Sequence, residues 1–355
     1  MLTKSETFFL LIMTIPIMGH VIILPLMIDV AGRDSWIAVL VSLPFAFVFA
    51  YAIYRLRRNK SKRFGNELME EILGKRLGKI VIFLFIAYFL FLTILSFSAL
   101  VDLVYIVFLP ETPQIALIIW FAIFFIYASK KGIKRIAITA GILTFIGLIT
   151  GHTVTLLDTP NKDWRELTPI LEFGWSPVLW GALIIISIWV ELLLLLFLPL
   201  RNTKEKRLFL VWSIAIILIA LTMNSTTTGA ITIFGLEQAD NFLYPATEIV
   251  RIIQLGFIDR FDTYAMILMT LGTYIRCSLF FRFSYDLSVI PFTKKRVRWF
   301  VGILLILFVI LATYYVTKEH YRLEKLVHYY TFFIVFYPIP FILLFISRFK
   351  RKRPS

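Results

Sequence analysis

The 355-residue chain is predicted to be an all-α integral membrane protein built from about ten transmembrane helices. Three observations predict it. Hydrophobic residues make up 59% of the chain and charged ones only 17%, with a mean hydropathy of +0.85; a soluble domain of this size needs more charge to cover its surface. Apolar runs long enough to cross a bilayer, about 20 residues each, recur along the chain. The Lys and Arg residues gather in alternate connections between those runs.

In order, the runs lie near 8–28, 34–54, 80–109, 114–128, 133–157, 177–199, 207–228, 262–290, 297–317 and 326–347. The fourth is short and the third and eighth are long, so tilt or re-entry is expected there. The first is flanked only by Lys4, and no small-residue cleavage site follows it, so it reads as a span and not a cleaved leader. No linker divides the chain, so residues 1–355 are expected to form one domain. Its halves are about 8–157 and 177–347, with a lid segment at about 229–261. Five spans per half make the second half enter from the opposite side, the condition for a 5+5 inverted repeat.

The loop 55–79 holds nine Lys or Arg, and the segments 129–135, 201–207 and 293–299 hold four each. With the tail and Lys4, one side carries 27 basic residues and the other 8. The positive-inside rule then predicts both termini in the cytoplasm. This distribution makes the net charge of +15 a topology signal and a contact for anionic membrane lipids, and argues against nucleic acid as a partner.

The first run contains "TIPIMGHVIILPL", residues 14–26. Proline removes a backbone donor and clashes one turn back, so Pro16 and Pro25 around Gly19 predict an interrupted, unwound first helix. Irregular backbone at that depth is tolerated only where it faces protein or water. Freed amides near Ile17 to His20 suit an anionic group, and freed carbonyls suit an ammonium group or cation. A proline kink that only shapes packing is the alternative.

Ionisable residues inside the membrane are costly and mark functional or paired sites. Glu191 lies in the sixth run and Arg276 in the eighth, each the obvious partner of the other and each a candidate for a ligand's charged groups. Arg282 and Asp286, four apart, read as a local pair. In the third run Ser98, Asp102 and Tyr105 share one helical face. His20 adjoins the interruption. His152, His320 and His328 lack metal-ligand spacing, and the single cysteine, Cys277, excludes an internal disulfide. "GKRLGK", residues 74–79, lacks the strand and spacing of a phosphate loop. With no catalytic, nucleotide or zinc pattern, neither an enzyme nor a cofactor is expected.

The chain resembles the spore germinant receptor B-subunit family of the amino acid/polyamine/organocation superfamily. "IPIMGHVIILP", "GRDSWIAVLVSLP" with Asp34 and Trp36, and "FGLEQADNFLYPATEIVRIIQLGFIDRFD" carry the resemblance, most specifically Tyr244-Pro245, Glu248, Arg251-Ile252 and Asp259-Arg260-Phe261-Asp262. It implies a permease-like fold and a subunit in the spore inner membrane that senses a small nutrient, often an amino acid. It also implies partnership with a larger A subunit and a lipoprotein C subunit. In permease relatives the ligand sits between unwound parts of helices 1 and 6. Here the sixth run departs from that pattern, with no glycine or proline between Gly181 and Pro199.

The expected ligand-contacting set is therefore Thr14, Ile17, Gly19 and His20 at the interruption, Ser96 in the third run, Ser187 and Glu191 in the sixth, and Arg276 in the eighth. The expected function is nutrient sensing. An autonomous amino acid permease and a scaffold subunit with a degenerate pocket are the alternatives.

Overall fold

A computed structural model describes residues 1–59, 63–203, 207–253 and 262–350. Residues 259–261 of the resembling loop and the basic tail 351–355 lie outside the described residues. Among the described residues, ten helical spans are long and apolar enough to cross a membrane, and no strand is present. The chain is a multi-pass membrane protein.

The first span is α1 (Lys4–Thr14) followed by α2 (Leu24–Ala31), joined through a π-helical turn at Met18–Ile22. The second is α3 (Ser35–Asn59), followed by a short amphipathic helix, α4 (Gly65–Leu73). Then come α5 (Lys75–Leu103), α6 (Gln114–Lys131) and α7 (Ile133–Leu157). The second half opens with α8 (Trp175–Trp189), which tightens into a 3-10 stretch at Val190–Leu196, and α9 (Arg207–Phe234). Two short helices follow, α10 (Leu236–Asp240) and α11 (Pro245–Arg251). The last spans are α12 (Asp262–Ser288), α13 (Lys295–Thr317) and α14 (His320–Thr331) continued by α15 (Ile339–Lys350). One short helix, α4, follows the second span, and two, α10 and α11, follow the seventh. The short helices fall on opposite faces, α4 on the face that carries the amino terminus, α10 and α11 on the other, here termed the lid face.

The interruption expected in the first helix is present, and its form is a widened helix. Thr3 caps α1 with a capping box. Pro16 and Pro25 cannot donate, so the ladder slips: the Ile23 amide bonds to Met18 O at 2.9 Å, a five-residue step. Ile15, Ile17 and Ile23 keep right-handed helical dihedrals. The groups left over are carbonyls, because prolines delete donors and strand acceptors.

The centre of the bundle is α5 against α12, with α6 and α1 also packed on α12; α8 packs on α3 and α2, while α7 and α13 lie at the periphery. Small residues set the closest approaches. A Cβ on Gly19 would stand 2.6 Å from the Met223 side chain, and one on Gly272 would stand 2.6 Å from Ile17 Cδ1. Near the amino-terminal face a phenylalanine cluster fills the space between α5, α12 and the end of the sixth span, with Phe89 against Phe280, Phe283 and Phe197. The buried Arg57 donates to Leu196 O and Leu198 O, capping that span's final carbonyls. Outward-facing Phe83, Trp120, Phe145 and Leu311 remain exposed, as lipid contact requires.

Candidate functional site: a closed ionic centre and the slot beside it

Glu191 sits in the 3-10 stretch of the sixth span and Arg276 in the middle of α12. Both side chains are completely buried. Arg276 Nη1 donates to Glu191 Oε2 and Nη2 to Oε1, each at 2.5 Å, a two-pronged pair. Arg276 Nε donates to Ser96 Oγ at 2.5 Å, and Nη1 also reaches Thr14 O at 2.8 Å. The Tyr330 hydroxyl donates to Glu191 Oε1 at 2.7 Å and lies 3.1 Å from Ser187 O. Phe280, one turn along α12, places its ring 4.9 Å from the guanidinium carbon.

The first, third, sixth, eighth and tenth spans thus meet in one hydrogen-bonded knot. The sequence fits it. Thr14 is the last residue of α1, so its carbonyl is one of those the interruption frees. Ser96 can accept because its own proton goes to Leu92 O. Ser187 bonds its side chain to Ile184 O and contributes only its carbonyl to the centre. The predicted Glu191–Arg276 pairing is present, as is the Arg282–Asp286 pair at 2.7 Å.

The remaining expected residues face elsewhere. Gly19 is covered by Met223, so its missing side chain serves the approach of α9. Ile17 and His20 line a partly open cavity of about 550 Å³ bordered by α1, α7, α9, α11 and α12, where Leu156 and Leu221 on its rim are exposed. His20 Nδ1 donates to Pro16 O at 2.5 Å, which leaves Nε2 as an acceptor. The expected set therefore divides: Thr14, Ser96, Ser187, Glu191 and Arg276 belong to the knot, Ile17 and His20 to the cavity, Gly19 to a helix crossing.

The lid face adds groups that the sequence reading did not bring together. The Tyr244 hydroxyl donates to Asp102 Oδ2 at 2.5 Å, and His320 Nδ1 donates to the same oxygen at 2.7 Å. At the other end of α11, Arg251 bonds Glu248 at 2.8 Å and reaches Val107 O at 3.3 Å. The short lid helix is fastened at both ends to the third span, and its Ala246, Ile249 and Val250 cover the cavity. Asp34 accepts the Leu171 amide at 3.0 and 3.1 Å, tying the loop after α7 to the start of α3. No signal in the sequence pairs residues so far apart. Only the face shared by Ser98, Asp102 and Tyr105 hinted that Asp102 turns inward.

A family model described as spore germination protein matches residues 1–320. The chain belongs to this spore germination protein family. Spore germination protein XB of Bacillus anthracis is 31% identical over 300 residues, covering 83% of each chain. Spore germination protein KB of Bacillus subtilis (strain 168) is 26% identical over 264 residues, 71% of this chain and 69% of that one. Spore germination protein YndE of the same organism is 23% identical over 326 residues, 90% of this chain and 88% of that one. This member of the family is a germination-related membrane protein with a permease-like, all-α fold.

Proposed function

We propose that this chain is the nutrient-sensing subunit of a spore germination receptor, binding a small amino acid or similar nutrient without carrying it across the membrane. One observation carries the reading, the closure of the centre by Glu191 and Arg276. A transporter opens its centre to each side in turn. Here that opening separates a fully buried ion pair tied to five spans. Leaving either charge unpaired costs about 3–5 kcal/mol.

The open volume lies on the other side of α1, against Ile17 and His20 and beneath α11. The nutrient sits there, and Thr14, Ser96, Ser187, Glu191 and Arg276 hold the interruption in shape behind it. Because α11 both covers the cavity and bonds to Asp102, occupancy is felt at the lid face. The excess of basic residues on the amino-terminal face supports a cytoplasmic location for both termini and contact with anionic lipid there. Family membership and the resemblance to germinant receptor B subunits support placement in the spore inner membrane beside A and C subunits.

Spores carrying Gly151→Leu test this reading. Gly151 lines the cavity and a Cβ there meets nothing within 4 Å, so a larger side chain starts in open space. The expected outcome is normal subunit level with a nutrient requirement raised on the order of tenfold or more, the equivalent of about 1.4 kcal/mol. An unchanged nutrient requirement at normal level contradicts it.

A further inference from the structure

The cavity is a slot. On α7 its wall is formed by Leu143, Gly147, Gly151, Val154 and, just past the helix end, Asp158, one helical face spanning roughly 22 Å along the axis. Gly147 and Gly151 leave open space where side chains would otherwise stand. Most of the lining is aliphatic, and the hydroxyl of Thr144 is spent on its own helix, bonding Ala140 O. Asp158 at the lid-face end is different. It is 1% exposed, it lines the slot, and neither of its carboxylate oxygens has a hydrogen-bond partner among the described residues.

A buried carboxylate without partners is costly. This one also caps the carboxyl end of α7, where the helix already concentrates negative charge. Both effects call for a cation. Lys162 lines the slot and its charge acts on Asp158 at a distance, yet its Nζ donates to Thr155 O at 3.3 Å and makes no hydrogen bond to the Asp158 oxygens. A charge-assisted hydrogen bond from an ammonium group supplies what the site lacks. The aliphatic walls below supply the rest by burying apolar surface.

We propose that the slot along α7 binds an aliphatic ligand bearing a primary ammonium group, with Asp158 as the receptor for that group. The proposal rests on the sensing role above and names the chemistry the slot recognises. It places recognition at the end of the fifth span, under α11, and away from the Glu191–Arg276 centre.

Purified full-length chain in nanodiscs of zwitterionic lipid, with empty nanodiscs as the background, is titrated at neutral pH with n-butylamine and with butan-1-ol. The two probes share an aliphatic body and differ in the ammonium. The expected result is butylamine bound roughly tenfold or more tightly than butanol, the scale of a hydrogen bond to a charged group. That preference is expected to vanish in Asp158→Asn, while Gly147→Leu weakens both probes. Equal affinity of the parent for the two probes overturns the proposal even if Asp158→Asn does not fold. A preference retained in folded Asp158→Asn also overturns it but leaves the slot as a site. Binding unchanged by Gly147→Leu removes the slot itself, and with it the cavity on which the sensing role was placed.

Discussion

Glu191 and Arg276, 85 positions apart, meet in a two-pronged pair whose two N···O distances are both 2.5 Å and whose side chains are fully buried. The pair joins α12 to the sixth span, and Thr14, Ser96 and Tyr330 extend the junction to three more. Its position, at the end of α1 where the first helix changes pitch, makes the interruption and the ion pair one unit.

Replacing one partner is expected to be worse than replacing both. Glu191→Gln or Arg276→Met leaves a buried charge uncompensated and is expected to cost about 3–5 kcal/mol. Glu191→Leu combined with Arg276→Met is expected to recover most of that loss. The measurement is the thermal midpoint of each purified protein with its level in the membrane. A double variant as unstable as the sum of the single ones contradicts a structural pair.

Tyr330→Phe removes one hydrogen bond to Glu191 and leaves the aromatic packing in place. The expected loss is about 1.5–3 kcal/mol, the range for a hydrogen bond to a charged group. Thermal unfolding in detergent reads it, and an unchanged midpoint shows that the Tyr330 contact contributes nothing.

Gly19→Val is expected to destabilise the protein by about 1–3 kcal/mol through overpacking against Met223. Met223→Ala in the same chain is expected to restore stability, because the clash is with that side chain. If Gly19→Val is well folded and only nutrient affinity falls, Gly19 contacts ligand directly.

Tyr244→Phe frees the amino-terminal end of α11 from Asp102. Amide hydrogen exchange across Pro245–Arg251 is expected to accelerate, with α5 and α12 unchanged. Equal exchange in parent and variant means that the Tyr244–Asp102 bond does not fasten the lid.

The spans and the Glu191–Arg276 partnership were legible in the sequence because hydropathy sets the first and the cost of an intramembrane charge sets the second. The form of the interruption was not. Pro16, Gly19 and Pro25 announce a lost ladder, but whether the backbone extends or widens into a π-turn depends on which neighbours take the stranded carbonyls, and Arg276 comes from 262 residues away. The sixth span tightens at Glu191 without glycine or proline, where the Glu191 side chain is bonded to Arg276 and Tyr330, tertiary contacts that no local pattern shows. Asp102, Tyr244 and His320 share no local motif, and their partnership is made by the fold. Nothing in the sequence singles out Gly147 and Gly151, because the slot beside them is made by the packing of other helices.

The most direct test of the closed centre follows one radiolabelled nutrient in proteoliposomes, comparing bound and lumenal label in the same sample. The account predicts saturable binding that reaches a plateau at the number of protein copies, with no accumulation in the lumen under any imposed proton or sodium gradient. Saturable, time-dependent uptake beyond that plateau contradicts it, because a centre locked by Glu191 and Arg276 cannot pass the nutrient through.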